Sequence, residues 1–365
     1  MLIDDIFYPE YRQIDLSQSV FLVGAFRTGS TSLHRQLYMD SGDDENKNSY
    51  RYISPYYFEL FFPFLCVYSF YQKLQKYFGH ERMQRICDNL LHRYFQDTLG
   101  PEVVLRHPMT GKEAEEDDLL LGSWYKLSWY SITGFPHPKA WKSSGEIHKF
   151  SSMEMQKVIT FYERTMQKIM YHRICTTSNT NSSAPILLSK SHLIGLMPLL
   201  KSKYPKCKVV GLVRHPKNAF TSWYALSQAA LDSIANKGRI TPIDTAVASH
   251  FQFWDSFTQD EIRFFQRFIG NLSTKTVSDD GTVTVIRSTD YFLNHLETIE
   301  TLYKNWHFPF TGTAFEKQLT QETKSHKSYQ KKKGYTDPTL GDLGIQEEDI
   351  SERYSKYISS FRLDK

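Results

Sequence analysis

The chain has 365 residues, with 44 Lys plus Arg against 40 Asp plus Glu and a net charge of +4. An apolar share of 40%, with 15% aromatics, suffices for a packed core and places the chain among globular proteins. The mild, interspersed charge gives no argument for nucleic acid, no apolar run reaches the ~18 residues of a membrane span, and Cys66, Cys87, Cys175 and Cys207 fit no metal spacing.

Residues 1–15 are acidic, broken by Pro9, and lack the features of a signal or transit peptide, so a cytoplasmic location is the default expectation. Val20–Val23 is a short apolar run that predicts a strand. Gly24 follows, then Ala25-Phe26-Arg27-Thr28-Gly29-Ser30-Thr31-Ser32, then a helix-like stretch from Leu33 to Leu37. Such a strand–loop–helix presents backbone N–H groups where the helix dipole also favours an anion. The hydroxyls of Thr28, Ser30, Thr31 and Ser32 add donors, and Arg27 can grip phosphate or sulfate oxygens in a fork. The alternative is a plain strand-to-helix turn built from small residues. Gly24 and Gly29 keep Walker A spacing, but Ser30 stands where that motif requires lysine. The loop therefore reads as an anion holder without ordinary nucleoside-triphosphate chemistry.

Residues 40–50 are polar and predict a loop. Residues 56–78 are rich in aromatics and interrupted by Pro63; a buried helical pair is favoured over a cap on an acceptor pocket or a membrane-facing patch. Helical spacing continues over 81–95, and Val103–Leu105 reads as a short strand. An acidic run, Glu113 to Asp118, follows Arg106-His107-Pro108. Residues 153–175 predict a helix, opened by a capping box of Ser151 and Glu154. Ile186–Leu188 predicts a strand, Leu193–Leu200 a helix, Cys207–Val213 a strand, Thr282–Ile286 a fourth strand and Tyr291–Trp306 a helix. Lys331-Lys332-Lys333-Gly334 reads as a solvated turn. Alternating strands and helices predict one α/β domain over 1–365, a P-loop-like parallel sheet flanked by helices, with helical insertions at about 50–100 and 120–175.

Ligands of such sheets sit at the carboxyl ends of strands. Lys190 follows one predicted strand and Arg214 another. A Walker B strand would end in Asp to hold magnesium; arginine takes that place here. If Pro216 starts a helix, Ser222 lies in its second turn and can share an anion with Arg214. The plainer readings are a surface ion pair for Arg214 and a helix-surface hydroxyl for Ser222.

These residues resemble the sulfotransferases that use 3′-phosphoadenosine-5′-phosphosulfate (PAPS). The loop Phe26 to Ser32 is similar to their 5′-phosphosulfate loop, and Arg214 with Ser222 to their 3′-phosphate pair. Lys190-Ser191-His192-Leu193 resembles the Lys-Thr-His-Leu segment of cytosolic members. Arg106 to Leu121, and the pattern His326–Tyr329 followed by Leu343–Ile350, resemble a bacterial and protist group. Four positions depart from the usual residues: Phe26, Asp118, His192 and His215. The resemblance implies sulfuryl transfer from PAPS to a hydroxyl or amine, without a metal. Arg27 and Lys190 would stabilise charge on the leaving phosphate and the sulfuryl oxygens. His192 is placed ahead of Glu116 as the base, although clustered Glu113, Glu115, Glu116 and Asp117 would raise one another's pKa if buried. A nucleotide or small-molecule kinase, and a non-catalytic nucleotide-binding protein, are the alternatives. The acceptor is expected to be a small molecule or carbohydrate, with Trp124, Trp129 and Trp141 among the rings that could contact it.

Overall fold

Five strands form one parallel sheet in the order β2-β3-β1-β4-β5. They are β1 (Val20–Gly24), β2 (Tyr52–Ile53), β3 (Ile186–Ser191), β4 (Lys208–Val213) and β5 (Val283–Arg287). The structure, a computed structural model, describes residues 2–41, 51–107, 116–117, 120–121, 150–176, 184–192, 194–235, 243–329 and 336–364. Of the features singled out in the sequence, Glu113, Glu115, Asp118, Leu193, the tryptophans at 124, 129 and 141, and the 331–334 turn lie outside the described residues.

β1 is apolar throughout, β4 from Val209 to Val213 and β3 from Ile186 to Leu188, because helices cover both sheet faces. Side chains alternate between two cores. Phe21, Val23, Val209 and Val213 join one cluster; Val20, Leu22, Val210 and Leu212 join the other. Gly211 interrupts β4 for a packing reason: a Cβ there would lie 2.1 Å from the Phe265 ring. The chain builds β2 and β3 on one side of β1, then β4 and β5 on the other, so the strand order reverses at β1.

The helices, in chain order, are α1 (Leu2–Phe7), α2 (Ser30–Tyr38), α3 (Tyr57–Phe61), α4 (Leu65–Phe78), α5 (His80–Leu99), α6 (Pro101–Arg106), α7 (Ser152–Thr176) and α8 (Met197–Lys203). After them come α9 (Pro216–Ala235), α10 (Ile243–Ile269), α11 (Ser288–Leu293), α12 (His295–Asn305), α13 (Ala314–Tyr329), α14 (Glu347–Arg353) and α15 (Ser355–Phe361). The α7 start carries the expected capping box: Ser151 Oγ accepts from Glu154 N–H (3.3 Å), and Glu154 Oε2 accepts from Ser151 N–H (2.9 Å). The aromatic stretch is divided. Tyr57, Leu60, Leu65 and Tyr68 are core, whereas Phe62, Phe70, Tyr77 and Phe78 face solvent. Among the described residues no helix is long and apolar enough to cross a membrane.

Three local expectations are corrected. Residues 103–105 are helical, not a strand: Gly100 turns at φ 88°, and Pro101 opens a helix with its φ already set. The predicted helix Leu193–Leu200 is a 3-10 turn, Ile194–Leu196, followed by α8, whose Pro198 sits at its start. The predicted helix Tyr291–Trp306 is two helices, divided at Asn294.

Candidate functional site

The site lies at the carboxyl ends of β3, β1 and β4, at the reversal of strand order, where sheets of this kind bind ligands. β1 ends in Gly24, whose φ of 149° and closeness to β4 leave no room for a side chain: a Cβ would lie 2.6 Å from Leu212 O. The loop then turns through left-handed Arg27 (φ 65°) and Gly29 (φ 97°) into α2. Thr28 Oγ1 donates to Ala25 O (2.9 Å), so this hydroxyl closes the loop from inside. Ser288 of α11 is hydrogen-bonded to Thr28 O and Val213 O, joining the loop to β4. No side chain caps α2, and its first turn opens on Gly29, Ser30 and Thr31. Ser30 is buried, and the Ser32 hydroxyl is held by the Tyr291 hydroxyl at 2.9 Å.

Three guanidinium groups line the β4 side. Arg27 Nε donates to Ser222 Oγ (2.9 Å), and Arg27 Nη1 reaches Arg106 O (3.3 Å). Arg214 Nη1 donates to Arg27 O (2.7 Å). Ser222 lies in the second turn of α9, as expected. Burial, followed by the Arg27 charge, lowers the pKa of Arg214. Arg106 is itself engaged by Asp337 at 2.8 Å. A cleft of about 450 Å³ opens beside Arg214, between Asn218, Ser288, Phe292 and Leu363.

On the β3 side, Lys190 Nζ donates to Thr31 Oγ1 (2.6 Å) and is ion-paired with Glu116. Glu116 reaches it because residues 116–117 continue the sheet edge past the end of β2. Glu116 forms a parallel bridge with Lys190, and Asp117 N–H donates to Lys190 O (2.9 Å). Asp117 is a strut: its carboxylate accepts from the Tyr162 and Ser189 hydroxyls. His192 Nδ1 is 2.7 Å from Gly24 O, so this nitrogen carries the proton and donates to the carbonyl. His192 Nε2 is 3.5 Å from Glu116 Oε1. The Phe26 ring lies on the imidazole, with centroids 3.8 Å apart, and Trp223 stacks behind Phe26.

The electrostatics correct the expectation of a raised carboxyl here. Burial alone would raise the Glu116 pKa, but the Lys190 charge outweighs it and holds Glu116 well below the usual carboxylate range. Glu116 is therefore an ionised partner of Lys190.

Three neighbours were not singled out from sequence. His107 Nε2 is 3.8 Å from Glu116, and burial, with Lys190 and Arg27 adding to it, lowers this imidazole to about 4. His34 is buried in α2 against Ser54 (2.8 Å); burial, then Lys190, lowers it to about 3. Both are neutral at pH 7. Glu261 of α10 lies beneath the loop, with Ala25 N–H facing it and the Tyr357 hydroxyl donating to it at 2.7 Å. Burial pushes Glu261 up to about 8, Asp260 adding to the effect. The Arg106-His107-Pro108 segment carried a signal for His107. Glu261 had none, because one acid among the aromatics of an amphipathic helix reads as a solvated position.

Glu261 gives a pH prediction. Its folded pKa exceeds the unfolded value of ~4.3, so its contribution to stability is fully present below that value and is lost as pH rises through about 8. Glu261→Gln cannot titrate. Its melting temperature should fall less than that of the wild type between about pH 5 and 8.5, with the gap widening at the alkaline end. Parallel curves in a calorimetric pH series would contradict this.

Among the described residues no three His, Cys, Asp or Glu side chains are grouped to hold a metal ion. The profile of the Sulfotransferase family matches residues 19–310. Two crystal structures share the fold. Sulfotransferase STF1 from Mycobacterium tuberculosis H37Rv aligns over 97% of this chain and 81% of its own, with 14% identity and a TM-score of 0.64. Sulfotransferase STF9 from Mycobacterium avium aligns over 100% of this chain and 81% of its own, with 13% identity and a TM-score of 0.66. No curated protein matches the chain by sequence.

Proposed function

The chain belongs to the sulfotransferase family, and from that premise we propose that it transfers a sulfuryl group from PAPS to a hydroxyl or amine of a small-molecule or carbohydrate acceptor. One observation carries the reading: Lys190, Glu116 and His192 meet the α2 N-terminus on one side of the loop, while Arg27, Arg214 and Ser222 meet it on the other. That donor set suits a ligand with anionic groups at two points. The N–H groups of Gly29 to Ser32, with Lys190, would hold the 5′-phosphosulfate. Arg214 and Ser222 would hold the 3′-phosphate, and the cleft beside Phe292 has room for the nucleoside.

PAPS supplies an electrophilic sulfur and a bisphosphate leaving group. His192 takes the acceptor proton at Nε2, since its Nδ1 proton is committed to Gly24 O. The charge so formed lies 3.5 Å from the ionised Glu116, which stabilises it. Lys190 and Arg27 concentrate positive charge where the leaving and equatorial oxygens gain negative charge, in a site largely closed to water. Glu116 keeps Lys190 over Thr31 in the interval before substrate binds.

Thermal unfolding tests this reading. Adenosine 3′,5′-bisphosphate should raise the midpoint by mass action, and ATP with magnesium should not. A shift with ATP and magnesium alone would point to a kinase and remove the assignments of Arg214 and Ser222. His192→Ala should keep the bisphosphate shift while lowering turnover of PAPS with an accepted substrate by ~10²–10⁴-fold. Full turnover in His192→Ala, with loss in Glu116→Gln, would reverse their roles.

A further inference from the structure

The first helices carry a surface that the site does not use. α1 buries Asp4 and turns Ile3, Ile6 and Phe7 outward, with exposures of 57, 62 and 70%. Spacings of three and four residues put these three on one helix face. α4 lies alongside: Asp4 accepts from Cys66 N–H (3.2 Å), and the Tyr8 hydroxyl bonds Ser69 Oγ (3.0 Å). Phe7 and Phe70 adjoin that second contact in sequence. Phe70 is 61% exposed, and further along α4 Tyr77 is 82% exposed. Phe70, Lys73 and Tyr77 share one face of α4. An apolar strip thus runs from α1 along α4 to the turn before α5.

Charge identifies what the strip fits. From Leu60 to His80 the sequence has no acidic residue. Lys73 stands exposed within the strip and Lys76 at its border, on the rim of the cleft that α4 forms with α5 and α7, and Arg82 and Arg85 stand exposed just past the turn with one acid, Glu81, beside them. A second copy of the chain would set these cations against one another. An anionic bilayer would not: aromatic rings favour the level of the headgroups, and lysines extend from there to the phosphates. Apolar contact and basic residues together supply the two signals that stable surface binding needs.

We propose that the α1–α4 face docks the protein on the surface of an anionic lipid bilayer, with Phe7, Phe70 and Tyr77 at the boundary of headgroups and acyl chains and Lys73 and Lys76 on the lipid phosphates. In this mode the protein lies on the membrane, and among the described residues no helix is long and apolar enough to cross it. The site at the strand ends is separate from this face.

The test is co-flotation of the full chain with extruded vesicles. Binding is expected to phosphatidylcholine mixed with phosphatidylserine, and not to phosphatidylcholine alone. Replacing both Lys73 and Lys76 with alanine should weaken partitioning about 25-fold, each lysine counting for about fivefold near an anionic surface. Phe70→Ser with Tyr77→Ser should weaken it further and leave binding of adenosine 3′,5′-bisphosphate intact, which separates docking from folding. No binding, equal binding to both vesicles, or unchanged binding by these variants overturns the proposal. So does a dimer in sedimentation velocity that Phe70→Ser dissolves, since the strip would then be a contact between copies.

Discussion

Lys190→Ala is expected to lower the proposed sulfuryl transfer by ~10²–10³-fold, the usual cost of removing one charged stabiliser from a site of this kind. Lys190 is the cation at the end of β3, 2.6 Å from Thr31 Oγ1 at the start of α2, where the transferring group would sit. The neighbouring imidazoles cannot replace that charge, because His34 and His107 are neutral at pH 7. The same substitution strips Glu116 of its partner. Glu116 is buried and held ionised chiefly by Lys190, so the variant should be ~3–5 kcal/mol less stable near neutral pH.

The pH dependence separates these two effects. In the wild type the folded pKa of Glu116 lies below its unfolded value. Its contribution is therefore present above the unfolded value and lost as pH falls through the folded one. Without Lys190, burial dominates and the folded value rises, so the deficit at pH 7 should shrink as the solution is acidified towards about pH 4. A double variant, Lys190→Met with Glu116→Gln, should recover much of the stability and none of the turnover. Recovery of both would mean that Lys190 serves the fold alone.

The strand–loop–helix from Val20 to Tyr38 was legible because each signal is local: an apolar run, two glycines at fixed spacing and small polar residues between them. Lys190 and Arg214 were legible for the same reason, each following an apolar run that predicts a strand, and His192 was legible through the resemblance of Lys190-Ser191-His192-Leu193 to the Lys-Thr-His-Leu segment. β2 was not, since Tyr52 and Ile53 become a strand only by pairing with Ile186 and Leu187, more than a hundred residues away. Residues 103–105 misled because Val-Val-Leu has strand propensity, yet the Gly100–Pro101 start and packing of the following turn decide for helix. The pairing of Glu116 with Lys190 spans 74 residues, and no spacing rule reaches that far. For that reason the acidic run read as mutually repelling acids, when one of them is neutralised by a lysine and another is tied down by two hydroxyls.

Lys168→Ala is expected to cost ~3–5 kcal/mol of stability with no change in the chemistry of the site. Lys168 and Asp4 are ion-paired at 2.6 Å with side-chain exposures of 0 and 1%. The ammonium also lies 5.3 Å from the Tyr11 ring centroid and 5.8 Å from that of Phe64, and Asp4 accepts from Cys66 N–H. One ion pair therefore fastens α1 and α4 to the middle of α7. Taking away the lysine leaves a carboxylate with neither water nor cation, which is far worse than removing both charges. Lys168→Met with Asp4→Asn should lie much closer to the wild type, because Asn keeps an acceptor for Cys66 N–H and Met fills the lysine's volume. Urea unfolding of the four species closes the cycle, and a shift in midpoint at constant slope would identify the loss as one of stability. A small midpoint shift in Lys168→Ala, together with rapid proteolysis before residue 16, would show that α1 simply lifts away and lets Asp4 reach water. In that case the ion pair holds the apolar face of α1 in place and adds little to the core, and vesicle binding by Lys168→Ala should fall while the melting temperature stays put.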